Sequence, residues 1–261
     1  MGKILNGKIA IVTGAGRGIG RAIAEQYAAE GARVVVASRT LANVDETVAA
    51  IRTAGGEAMG VACDVSERSD IIRAVDAAVE AWGGVDILVN NAQSFGTRAK
   101  PERKSLDSPI ETVTEEEWDW VYATGLKGTL YAMQAAFPHM KARGGGSIIN
   151  FGSGRGIMST PMTSPYNAAK EAVRSLSRTA ANEWGVHNIR VNVINPAIDT
   201  DAFRADITTP EARRAVEMMI PLRRIGVPLE AARVAVFLAG PDSSYLTGML
   251  FTVDGGLTSL P

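Results

Sequence analysis

Seven short apolar runs punctuate the chain, at residues 9–13, 33–37, 57–62, 85–90, 146–151, 190–194 and 249–253. Between them lie amphipathic stretches, among them 41–54, 68–82 and 115–142, whose apolar positions recur at helical spacing. Strands that are apolar on both faces and alternate with helices predict a parallel sheet covered on both sides. The winding is expected to reverse after the first strand, so the fold class is α/β, a doubly wound parallel sheet of about seven strands. No internal repeat, low-complexity tract or composition shift marks a boundary, and residues 1–261 are expected to form a single domain.

The first run, Ile9-Ala-Ile-Val12, leads into Thr13-Gly-Ala-Gly-Arg-Gly-Ile-Gly20, and Ile19, Ala22, Ile23 and Tyr27 then keep helical spacing. Strand, glycine-rich turn and helix in this order bring backbone N–H groups and a helix N-terminus toward a pyrophosphate. The spacing Gly14-x-x-x-Gly18-x-Gly20 differs from the common G-x-G-x-x-G, and a tight turn without a ligand would use the same residue type.

Further along, Ser153 precedes Tyr166 and Lys170. Positions four apart share a helix face, and the neighbouring residues predict a helix there. Ser164 can cap it, Pro165 suits its first position, and Ala169, Val173, Leu176 and Ala180 repeat along one side. An ammonium beside a phenol favours the phenolate and draws a tyrosine pKa down from about 10. Tyr166 is thereby a candidate proton donor or acceptor, and a nearby serine hydroxyl would hydrogen-bond the same substrate oxygen.

With these motifs in this order, the chain resembles the short-chain dehydrogenase/reductase family nearly end to end. The resemblance is carried by Thr13 to Gly20, Asp64-Val65, Asn90-Asn-Ala92, Ser153, Tyr166 with Lys170, Asn195-Pro196 and Val253-Asp-Gly-Gly256. It implies a Rossmann-like domain and hydride transfer between a nicotinamide cofactor and a carbonyl or secondary alcohol carbon. Tyr166 would pass the proton, Lys170 would lower its pKa, and Ser153 would orient the substrate oxygen. The resemblance also implies a cofactor set. Gly14, Gly16, Gly18, Ile19 and Gly20 belong to the glycine turn, and Asp64 and Val65 would flank the adenine. Asn91 and Ala92 would line the nicotinamide-side ribose, and Tyr166 and Lys170 would hold ribose hydroxyls. Pro196, Ile198 and Thr200 would lie toward the carboxamide. Relatives form homodimers or homotetramers, and Tyr245 to Phe251 suits a place between subunits or an internal last strand.

The second strand bears on the choice of cofactor. It ends Ser38-Arg39-Thr40, with no acid until Asp45, whereas NAD sites usually place an acid there to hold the ribose 2′-hydroxyl. Arg39 and Arg17 are cations suited to a 2′-phosphate, which a guanidinium binds bidentately. NADP is the expected cofactor. NAD is the alternative if Arg39 is a solvated turn residue.

Three departures from the family pattern stand out. Gly125-Leu-Lys-Gly128 lacks the usual asparagine of N-L-K-G, which holds a water on a proton path to the lysine. Either backbone and Thr124 hold that water, or the relay is impaired; glycine also weakens a helix at this point. Gln93 replaces the glycine of N-N-A-G and would bring an amide near the nicotinamide or the substrate mouth. Pro196-Ala-Ile-Asp-Thr200 is shorter than its counterpart. Two rival readings follow: a 3-oxoacyl-thioester reductase-like activity, and an NADP-binding sensor or scaffold without turnover.

Composition narrows the partners. Of 261 residues 46% are hydrophobic, and a net charge of −1 gives no electrostatic footprint for nucleic acid or an anionic membrane. No run is long enough for a membrane span, and the first residues lack a signal-peptide core. Cys63 is the single cysteine, which excludes an intrachain disulfide and suits a reducing cytosol, so a cytoplasmic location is expected. His139 and His187 are isolated, and no metal site is expected.

The remaining partner is a small-molecule alcohol or carbonyl substrate. A substrate loop is expected at about 93–117, carrying Phe95, Arg98, Lys100, Arg103 and Lys104. Its cations would greet an anionic tail, or simply be solvated. Ile157, Met158, Met162, Phe203, Met218 and Met219 favour a bulky hydrophobic alcohol or ketone, unless the methionines are ordinary core. Residues 199–222, with Pro210 and Pro221, are expected to form a substrate lid.

Overall fold

The computed structural model describes residues 2–100 and 107–258. Seven strands, β1 (Ile9–Thr13), β2 (Arg33–Ser38), β3 (Glu57–Ala62), β4 (Ile87–Asn90), β5 (Gly146–Phe151), β6 (Ile189–Pro196) and β7 (Leu250–Val253), form one parallel sheet. Their order is β3-β2-β1-β4-β5-β6-β7, so the chain reverses its winding between β1 and β4. The doubly wound α/β domain expected from the sequence is the one observed. β4 begins at Ile87 rather than at residue 85, and β6 runs from Ile189 to Pro196, beyond both expected ends.

Strand alternation splits the core into two layers. Ala10, Val12, Val34, Val36, Ile87, Val89 and Ile149 face one layer with helices α1 (Gly18–Ala29), α2 (Leu41–Thr53) and α10 (Pro228–Ala239). Ile9, Ile11, Val35, Leu88 and Ile148 face the other, with α3 (Arg68–Trp82), α5 (Gly128–Ala142) and α7 (Ser164–Trp184). Burial on both faces is why these strands read as continuous apolar runs.

The stretch 115–142 is not one helix. A capping box of Thr114 and Glu117 starts α4 (Glu115–Tyr122), a π turn spans Ala123–Lys127, and α5 follows. Gly125 lies inside that π turn, so the strain expected of a helical glycine is met by a local change of winding. The start of α7 also differs from expectation. Ser164 is its first residue, Thr163 precedes it, and the Ser164 hydroxyl is buried without a hydrogen-bond partner instead of capping. The short helices α6 (Gly154–Ile157), α8 (Asp201–Asp206) and α9 (Pro210–Met219) lie at the end of the sheet where the strands finish.

Candidate active site

A cavity of about 770 Å³ opens where β1, β4, β5 and β6 end. In open α/β sheets the switch point is where ligands bind. Gly14, Arg17, Gly18, Ile19, Ser38, Arg39, Asp64, Val65, Asn91, Ala92, Ser153, Tyr166, Lys170, Pro196, Ile198 and Thr200 all line it. Gly16 and Gly20 do not. A Cβ at Gly16 would press on Asn43 Cβ at 2.9 Å, and one at Gly20 would collide with the Gly14 carbonyl.

The glycine turn is shaped for close approach. Gly14 and Gly18 hold φ of +65° and +56°, conformations that a side chain would strain. A Cβ on Gly14 would lie 2.8 Å from Asn91 Nδ2, whose amide donates to Thr13 O at 3.0 Å. No side chain caps α1, and no acid stands in its first turn. Its N-terminal dipole therefore faces the cavity without a carboxylate of its own helix to offset it.

Ser153 ends β5's extension, is 8% exposed, and accepts a hydrogen bond from Arg155 N at 3.2 Å as the N-cap of α6. Ser159 and Met162 hold positive φ (51° and 67°), and these bends return the chain to the start of α7. There Tyr166 and Lys170 share one face, with Lys170 Nζ 5.5 Å from the Tyr166 ring centroid. Lys170 is 4% exposed and donates to Phe151 O at 2.9 Å. Burial pulls its ammonium down to about 8, because the charged form loses hydration.

Several contributors were not singled out from sequence. Phe151 O holds Lys170, and Asn150 Nδ2 donates to Ser177 Oγ at 2.8 Å, which ties α7 to β5. Asn90 Nδ2 donates in turn to Asn150 Oδ1 at 2.9 Å. A backbone carbonyl has no sequence signal, but a run of buried asparagines in neighbouring strands does. Phe95 packs on the Tyr166 ring at 5.3 Å between centroids.

Of the residues expected at the mouth, Met158, Phe203 and Met219 line the cavity, whereas Ile157, Met162 and Met218 do not. Arg98 points elsewhere, pairing with Glu67 at 2.9 Å. Arg103 and Lys104 lie outside the described residues. The substrate loop is stitched at its far end, where Ser108 N donates to Met162 O at 3.0 Å. At the lid, Thr200 caps α8, and Asp201 meets Arg17 at 3.3 Å.

The comparisons agree with this geometry. Residues 14–258 match the family model for enoyl-(acyl carrier protein) reductase. The short-chain reductase NovJ of Streptomyces niveus is 41% identical over 254 residues, covering 95% of this chain and 93% of its own. Sorbitol dehydrogenase of Cereibacter sphaeroides is 38% identical, covering 97% of this chain and 98% of its own. A solved 7α-hydroxysteroid dehydrogenase, complexed with NADH and 7-oxo glycochenodeoxycholic acid, superposes with a TM-score of 0.89 at 34% identity, covering 97% of this chain and 94% of its own. The chain belongs to the short-chain dehydrogenase/reductase family. It is an oxidoreductase of that class, whose members work with a nicotinamide cofactor.

Proposed function

We propose that the chain interconverts a hydrophobic secondary alcohol and its ketone using NADP(H), with Ser153, Tyr166 and Lys170 as the catalytic set. The observation that carries this reading is that all three line one cavity with the glycine turn. The cavity fits a dinucleotide: glycines where a Cβ would intrude, an N-terminus without a competing acid, and apolar walls beyond Tyr166. When bound, the nicotinamide supplies or accepts the hydride. Ser153 Oγ orients the substrate oxygen, and Tyr166 moves the proton to or from it. Lys170 stabilises the phenolate by its charge and offers further N–H groups to the ribose. The pyrophosphate is met by the N-terminus of α1. Phe95, Met158, Phe203 and Met219 supply apolar walls for the substrate, and the lid segment 199–222 excludes water.

The preference for NADP rests on Ser38 at the end of β2, where a carboxylate would favour a 2′-hydroxyl, and on Arg39 and Arg17 at the cavity. Arg39 Nη2 donates to Ser94 Oγ at 3.3 Å, so it stands at the rim toward the adenine end. The NADH complex of the 7α-hydroxysteroid dehydrogenase makes a direct test necessary. Fluorescence titration is expected to give NADPH at least about tenfold tighter binding than NADH, with Arg39→Ala removing most of the difference. Equal affinities would overturn the cofactor assignment. The matched family model favours one second reading, reduction of an acyl thioester. A screen that pairs simple ketones with 3-oxoacyl thioesters separates the two.

A further inference from the structure

Two of the three departures from the family pattern meet in space. The Gln93 amide nitrogen donates to Ser94 O at 2.9 Å, to Thr124 Oγ1 at 3.1 Å and to Val121 O at 3.3 Å. A Cβ placed on Gly125 would run into the same amide, with Cδ and Nε2 at 3.2 Å and Oε1 closer still. Any side chain at 125 therefore needs Gln93 to move. Thr124 is occupied as well: its hydroxyl donates to Trp120 O at 2.9 Å and accepts from Gln93. The amide is thus turned away from the substrate mouth and into the floor of the site.

The floor carries an orphan. Gln93 Oε1 is buried and has no hydrogen-bond partner. Buried amide oxygens are seldom left so, and a water with donors to spare relieves them. Lys170 has three N–H donors, of which Phe151 O takes one. Gln93, Thr124, Tyr166 and Lys170 line the same cavity, and the π turn holding Gly125 packs against α7.

We propose that Gln93 is a positioning residue: its amide fills the space left by Gly125, fixes the π turn against α7, and holds through Oε1 a water that accepts from Lys170. This rests on the catalytic reading above. The water gives the ammonium a partner, so losing it weakens the cation beside Tyr166 and raises the pH at which the phenolate forms. Arg17, Arg39, Asp64, Arg155, Asp201 and Asp254 also line the cavity and stay in place in every variant below. Cys63, pushed up to about 12 by burial, stays a thiol.

Four variants test the pair: Gln93→Met, Gln93→Gly, Gly125→Asn and the double Gln93→Gly/Gly125→Asn. In melts without cofactor, Gly125→Asn is expected to lower Tm in the parent chain and not in the Gln93→Gly background. Gln93→Met is expected to cut kcat for alcohol oxidation about tenfold with KM nearly unchanged, and to move the alkaline rise of kcat up by about half a pH unit or more. The double variant is expected to recover kcat to within about threefold of the parent. Additive melts would overturn the pairing. A Gln93→Met chain with the parental kcat and pH profile would overturn the positioning role. A parent chain that binds nucleotide but turns over no substrate would overturn the catalytic reading and this role with it, while the melts would still judge the pairing.

Discussion

Lys170 shows what a single residue costs the fold for the sake of chemistry. Its ammonium is buried, and the folded chain releases the proton near pH 8, below the 10.5 of a solvated lysine. Below about 8 the folded state carries the whole penalty of a buried charge. Between 8 and 10.5 the unfolded chain binds the proton and the folded chain does not, so stability rises with pH across this window. A Lys170→Met chain without cofactor is therefore expected to gain on the parent most at about pH 7 and least at about pH 10. Paired thermal melts read this directly, and a gap that ignores pH would contradict it. At this scale the sequence was legible where spacing encodes geometry, as for Tyr166 and Lys170. Ser153 proved to be both a cap and a cavity residue, two roles that spacing alone does not separate. The place of the Gln93 amide was not legible, because a rotamer is set by neighbours distant in sequence.

At the scale of elements, periodicity located every strand and most helices, since each strand is buried on both faces. It misread 115–142 because the apolar pattern continues through the π turn, and one inserted turn barely disturbs a helical period. The loop after β4 kept its expected apolar contact through Phe95 but sent Arg98 to Glu67, a pairing between segments that no local pattern foretells. Asp86, just before β4, ties three elements: it takes Arg143 Nε at 2.8 Å and Nη2 at 3.0 Å, and accepts from Ile9 N at 2.9 Å. The chain around β1 and the end of α5 is held through one carboxylate that is 7% exposed. Asp86→Ala is expected to cost about 2 kcal/mol or more, since it leaves a buried N–H and a guanidinium unpaired. Urea unfolding measures it, and a loss under about 0.5 kcal/mol would show the contact to be incidental.

For the whole molecule, the switch between β1 and β4 assembles residues from the glycine turn to the lid around one cavity, and that order was readable from the motifs. The surface of the C-terminal region suits the proposed assembly into dimers or tetramers: Tyr245 is fully exposed, with Met249 and Phe237 also open. Sedimentation is expected to show a dimer or tetramer that Tyr245→Glu weakens, and a monomer at all concentrations would contradict it. The central claim is that Tyr166 moves the proton in a site that holds NADP(H). Its most direct test is the Tyr166→Phe chain, measured for turnover and for NADPH binding together. The account predicts a kcat loss of about a thousandfold with NADPH affinity within about threefold of the parent. Turnover that survives the change would contradict it.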